Sequence, residues 1–185
     1  MVFLLFIGCI IVQRVFELVV AKRNERWLKA RGGVEFGSRH YPIIVLIHSA
    51  FLMTMIFEVL YFNHEISRFW VVLLVGFLLT QGMRVWALRS LGPYWNTKII
   101  VLPGARVVKK GPYRFIKHPN YVIVALEIIL IPLMFNAYIT AILFTIFNLL
   151  ILSIRIPTEE KALKALTNYD SALEGNRRFL PLLRK

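Results

Sequence analysis

Five apolar runs, residues 2–20, 43–62, 69–88, 121–135 and 138–154, leave little of this chain that could face water. A helix needs about 20 apolar residues to cross the hydrocarbon core of a bilayer. The first three runs reach that length. The last two are shorter and adjacent, with Pro132 and Asn136 near their junction, and they read as a tight helical hairpin. One long kinked helix is the other arrangement the pattern allows, because proline is tolerated inside membrane helices. Of 185 residues, 58% are hydrophobic and only 18% charged, too few to clothe a soluble domain of this size. The expectation is therefore an all-α integral membrane protein: one domain over residues 1–185, about five transmembrane helices, and a cytoplasmic tail from residue 155.

The net charge of +13 would suit a nucleic-acid partner in a soluble protein. Its placement argues otherwise, and no such partner is expected. Segment 21–42 holds Lys22, Arg23, Arg26, Lys29, Arg31 and Arg39; segment 97–120 holds Lys98, Arg106, Lys109, Lys110, Arg114 and Lys117. The tail holds Lys161, Lys164, Arg177, Arg178, Arg184 and Lys185. The other two connections carry only Arg68. By the positive-inside rule the N-terminus is outside and the three basic segments and the C-terminus are cytoplasmic. A single crossing by residues 121–154 would put the basic tail outside, so the charge pattern supports the hairpin independently. The basic segments also suit anionic lipid head groups. The first run lacks a basic n-region and continues to about membrane thickness, so it reads as a span rather than a cleavable signal. Cys9 is the sole cysteine, which excludes an internal disulfide and a cysteine-rich metal site; no metal is expected.

Charged side chains within spans are costly and mark functional cavities or mutual pairs. Arg14 and Glu17, His48, Gln81 and Arg84, Glu127, then Arg155, Glu159 and Glu160 all fall toward the cytoplasmic ends of their spans; Glu58 is the exception, near the outer end of span two. Arg14 and Glu17 can pair at i,i+3, and the arginines can snorkel. Contributions from all five helices to one layer point to a polar pocket open to the cytoplasm, fit for a soluble cofactor and a substrate from the lipid. A small transporter would set its polar groups nearer the midplane.

Residues 98–102 and 106–108 are β-prone stretches flanking Pro103-Gly104, which predicts a short local hairpin. Pro119 suits the first turn of the fourth helix. His118 and Tyr121 then lie about one turn apart at a helix start, where free N–H groups favour an anion such as a cofactor carboxylate. A capped helix with an interfacial tyrosine is the plainer reading of the same residues. Further on, Arg155 and Glu159 share a face if the fifth helix runs through Pro157; otherwise the span ends there and Thr158 caps a new surface helix.

Taken together, Gly111, Tyr113, Lys117-His118-Pro119-Asn120-Tyr121, then Arg155-Ile156, Glu159-Glu160 and Leu163 resemble the isoprenylcysteine carboxyl methyltransferase family, with Tyr169 and Arg178-Phe179-Leu180-Pro181 similar in the tail. The likeness covers about residues 91–181. The N-terminal half, with Gln13-Arg14, Glu17, Lys22-Arg23-Asn24-Glu25 and His40-Tyr41-Pro42, resembles a bacterial branch that includes methyltransferases of long-chain alkylpyrones made by type III polyketide synthases. The resemblance implies S-adenosylmethionine-dependent methyl transfer at the cytoplasmic face. It implies His118, Pro119, Tyr121, Tyr113 and Glu160 around the cofactor, with backbone of 101–113, and Arg155 and Glu159 toward a lipophilic acceptor. An ionised carboxylate or acidic enol needs little or no base; His48 is an outside candidate for one. Two positions depart from the pattern: Lys117 replaces a commoner arginine, and Ile123 stands where many members have glycine. The competing readings are a nicotinamide-dependent membrane reductase sharing a His-Pro-x-Tyr segment, and a non-enzymatic transporter or assembly factor.

Overall fold

A computed structural model describes residues 1–179; Leu180, Pro181, Arg184 and Lys185, named above, lie outside the described residues. The chain is helical almost throughout: α1 Val2–Lys29, α2 Tyr41–Tyr61, α3 Trp70–Leu91, α4 Pro119–Leu133, α5 Tyr138–Leu166 and a short α6 Tyr169–Ala172. Two three-residue strands, β1 Val34–Phe36 and β2 Ile99–Val101, complete it. α1, α2, α3 and α5 are long and apolar enough to cross a membrane. With 15 residues, α4 is about 22 Å long.

The burial pattern is that of a protein dissolved in lipid. On α1 the inward stripe is Phe3, Ile7, Ile10, Glu17, Ala21, Asn24 and Leu28, while Leu4, Leu5, Val12, Phe16 and Val19 point outward and exposed. The polar groups are inside and the bulky apolar ones outside, an arrangement stable only where the surroundings are hydrocarbon. This is an all-α integral membrane fold.

α4 and α5 form the expected hairpin. Asn136, at φ 55°, turns the chain, and its amide donates to the Glu65 carbonyl (3.0 Å). Ser67 N–H meets the Met134 carbonyl at 3.0 Å, so this turn lies at the same end as the α2–α3 connection. Glu58 is explained here: its carboxylate accepts from the backbone N–H of Ile139 (2.9 Å) and Thr140 (2.7 Å) and from the Thr140 hydroxyl (2.5 Å). An anion at the N-terminus of α5 satisfies orphan donors and opposes the helix dipole. Phe3, Ile7, Phe51, Met55, Phe77, Ile131, Phe135 and Phe144 pack that half of the bundle, with edge-on aromatic pairs such as Phe3–Phe135 (4.9 Å).

The opposite half carries the connections. The local hairpin expected from residues 98–108 does not form. β2 pairs antiparallel with β1 instead, Val34 opposite Val101 and Phe36 opposite Ile99. Residues 106–108 are without strand structure. The preference for β-structure was local, but the partner edge came from the α1–α2 connection. Lys29 and Lys98 interleave with Glu25 and Glu35 across this pairing, at 2.6–3.5 Å. Asn24 donates to the Trp95 carbonyl (2.7 Å) and Asn96 to the Ala21 carbonyl (3.0 Å), bolting α1 to the chain after α3.

Candidate active site

Two polar layers, one above the other, line a single cavity of about 440 Å³. The outer one is built by the start of α4, the end of α5 and the chain between β2 and α4. Gly111, at φ +54°, opens a turn against α3 so closely that an added Cβ would meet Ser90 Oγ at 2.0 Å. Only glycine fits there, and the contact fixes the path of 111–118. Lys117 and His118 N–H then bond the carbonyls of Arg177 (2.9 Å) and Arg178 (3.1 Å), and Pro119 starts α4.

α5 does continue through Pro157, so Arg155 and Glu159 share a face. The proline sits on the exposed side, and the Thr158 hydroxyl donates to the Ile154 carbonyl (2.8 Å) rather than capping a new helix. Arg155 Nε donates to the Tyr121 hydroxyl (2.9 Å), which donates onward to Glu159; Arg155 Nη2 donates to the Thr97 carbonyl (2.6 Å). Arg155 and Glu159 are thus joined through Tyr121. The guanidinium keeps N–H groups for an anion, and its Tyr121 partner fixes its aim.

Behind this relay, His118 Nε2 lies 3.1 Å from Glu160, and Glu160 also receives a two-pronged bond from Arg178 (2.9 and 2.7 Å). His118 stacks on Tyr121 with ring centroids 5.3 Å apart. Tyr113, Lys117, His118, Tyr121, Arg155 and Glu159 line the cavity, as do Val101, Leu102 and residues 105–108. Pro119 and Glu160 stand behind its wall, where Glu160 holds His118 and the Arg178 strap. Ile123, the departure from glycine, faces Ala87 of α3 and Tyr113 rather than the cavity, and so props Tyr113 in place. Burial, with Glu159 nearby, pushes the Tyr113 phenol up, and burial with Glu160 and Glu159 does the same to Tyr169. Both hydroxyls stay protonated donors at neutral pH.

The second layer lies deeper. Arg84 of α3 is bracketed by Glu17 (3.1 Å) and Glu127, and Arg14 bonds the same two carboxylates at 2.8 and 2.5 Å. Gln81 donates to Glu127 (2.6 Å) and Gln13 to Gln81 (2.8 Å). The sequence placed all these groups in one layer with Arg155. The structure separates them: Glu127 is six residues beyond Tyr121 on α4, about 9 Å along the axis. Four charges from α1, α3 and α4 neutralise one another, which is how such groups persist inside a bilayer.

Three buried polar atoms on the cavity wall lack a partner among the described residues: Trp95 Nε1, Asn120 Oδ1 and Tyr169 Oη. Two donors and one amide oxygen suit a ligand with a carboxylate and an amino or ammonium group, as S-adenosylmethionine has, and the Glu159 carboxylate suits its positive sulfur. The residues therefore fit that cofactor. Sequence reasoning did not single out Trp95, Asn120, Tyr169 or Asn148 as lining residues, nor Gln13 as a partner of Gln81 and Glu17.

A model of the isoprenylcysteine carboxyl methyltransferase (ICMT) family matches residues 70–165. The chain is 51% identical over 162 residues to the uncharacterized protein YpbQ of Bacillus subtilis (strain 168), covering 88% of this chain and 96% of that one. It is 28% identical over 160 residues to an uncharacterized protein of Haemophilus influenzae, covering 86% and 93%.

Proposed function

Because the chain belongs to the isoprenylcysteine carboxyl methyltransferase family, a family of membrane methyltransferases, we propose that it O-methylates a lipophilic acceptor from S-adenosylmethionine at the cytoplasmic face. The acceptor is an alkylpyrone-like enol or a lipid carboxylate. The orientation is N-terminus outside and C-terminus cytoplasmic, on the basic segments that flank the site. The observation that carries this reading is the Arg155–Tyr121–Glu159 relay, set where a mouth built from 101–118 and Tyr169 meets an apolar interior.

Once bound, the cofactor supplies a methyl carbon on a positive sulfur, open to in-line displacement. His118, Tyr113, Asn120, Trp95 and Tyr169 hold and orient it. Arg155 receives the acceptor anion through its remaining N–H groups, held in aim by Tyr121 and the Thr97 carbonyl. Glu159 accepts from Tyr121, and its carboxylate would help to hold a positively charged sulfonium cofactor, a binding role rather than a rate-enhancing one. Most of the rate then comes from alignment. The helices around the cavity exclude bulk water and keep the acceptor oxygen poorly solvated.

Methyl transfer from labelled S-adenosylmethionine to a long-chain 4-hydroxy-6-alkyl-2-pyrone tests this. Arg155→Ala is expected to lower kcat/KM about 10–100-fold, the worth of a charge-assisted hydrogen bond, with S-adenosylhomocysteine affinity retained. Unchanged turnover in Arg155→Ala removes the acceptor-site assignment.

A further inference from the structure

The deep layer contains more than its ion pairs. Asn148 of α5 is 3% exposed and lines the cavity, yet its amide makes no hydrogen bond among the described residues. The amide opens onto the cavity, and a polar group so deep in a membrane-spanning helix marks a functional space. It lies seven residues from Arg155, about 10 Å further along α5. His48 lines the same stretch of cavity. Its Nδ1 lies 2.8 Å from the Ile44 carbonyl, which can only accept, so the proton sits on Nδ1 and Nε2 is left without a partner among the described residues. The level is consistent: Tyr41 meets Thr97 at 3.2 Å, Thr97 meets Arg155, and His48 is seven residues beyond Tyr41.

Arg14 completes the set. Its side chain lines the cavity and is 30% exposed, against 4% for Arg84, and only two of its five donors are needed for Glu17 and Glu127. Three helices thus present an amide, an imidazole lone pair and a guanidinium edge to one space. Ion pairing within the quartet accounts for Arg84, Glu17 and Glu127. It accounts for neither Asn148 nor the open ring nitrogen of His48.

The space between the two layers belongs to the acceptor. A soluble cofactor enters from the cytoplasmic mouth, bounded by Val101, Leu102, residues 105–108 and Leu173, whereas beyond the deep layer the lining turns to Ile10, Phe51, Ile128 and Ile131, which suits an alkyl chain. We propose that Asn148, Arg14 and His48 form a second subsite for the acceptor head, holding an oxygen function other than the one that is methylated. The inference rests on the methyltransferase reading and narrows it. The acceptor is a lipid whose head carries two oxygen functions, an ionised one at Arg155 and a carbonyl or hydroxyl at the deep layer. A simple lipid carboxylate, with both oxygens on one carbon, cannot reach both.

The test uses the full-length protein in detergent and two probes of equal chain length: a 4-hydroxy-6-alkyl-2-pyrone, which has the second oxygen, and a saturated fatty acid, which does not. The variant is Asn148→Leu. A ligand-binding amide that makes no bond within the protein should be replaceable without loss of Tm. The expected result is a Tm at or above that of the wild type, unchanged S-adenosylhomocysteine affinity, and kcat/KM for the pyrone lowered about tenfold with that for the fatty acid held. An equal fall on both probes, or no fall on the pyrone, overturns the subsite. A lower Tm assigns Asn148 to packing and overturns it as well. If the wild-type protein binds no S-adenosylhomocysteine, the methyltransferase reading fails first and the subsite falls with it; if it binds the cofactor product and methylates only the fatty acid, the subsite alone fails.

Discussion

Glu127 is almost fully buried and receives hydrogen bonds from Arg14, Gln81 and Arg84 at once. A group so placed is hard to remove. Glu127→Gln leaves Arg84 facing Glu17 alone and is expected to destabilise the folded protein by about 3 kcal/mol, read as a lower Tm in detergent; a wild-type Tm would show that the quartet is solvated. Residue roles were only partly legible in the sequence. Arg155, Tyr121, Glu159 and His118 could be picked out because their two motifs together resemble a known family, the residues alone leaving plainer readings open, and the structure does bring them together. That Glu160 faces His118 and Arg178, or that Tyr121 stands between Arg155 and Glu159, depends on rotamers and neighbours that spacing does not specify. Asn148 escaped notice because a lone amide does little to break a hydropathy run.

Among the elements, the chain between α3 and α4 is the most demanding. It has hardly any regular structure, yet it forms one wall of the cavity, and its path is fixed by a few contacts: β2 on β1, Asn24 on Trp95, and Gly111 against α3. Gly111→Ala places a Cβ on Ser90 Oγ at a positive φ. It should cost about 1–2 kcal/mol from backbone strain alone and weaken S-adenosylhomocysteine binding by displacing Tyr113 and His118; calorimetry that finds wild-type affinity would detach this turn from the site. The long helices were legible because some twenty apolar residues have few other fates. Pro157 was not. A proline is compatible with either a break or a continued helix, and packing decides. The β1–β2 pairing was out of reach for a different reason: sixty-odd residues separate the strands, and only the closing of the bundle brings them together.

Across the whole molecule, the cavity joins two solvents. Its mouth is rimmed by basic and polar residues such as Arg106 and Lys117, and its far end by Ile10, Phe51 and Ile131. The proposed function requires a soluble methyl donor and a lipid acceptor to approach the same relay from opposite sides, and a cavity with one polar and one apolar end meets that requirement. The class and general architecture followed from hydropathy and charge placement, the kind of chemistry from two short motifs, and a polar pocket from the charges within the spans; its division into two layers depends on packing that the sequence does not specify. The central claim is that this cavity is a methyl-donor site. Calorimetric titration of the detergent-purified protein with S-adenosylhomocysteine, and separately with NADPH, tests it most directly. The account predicts binding of S-adenosylhomocysteine alone, abolished or strongly weakened in His118→Ala. Binding of NADPH in its place, or of neither ligand to a demonstrably folded sample, would contradict it.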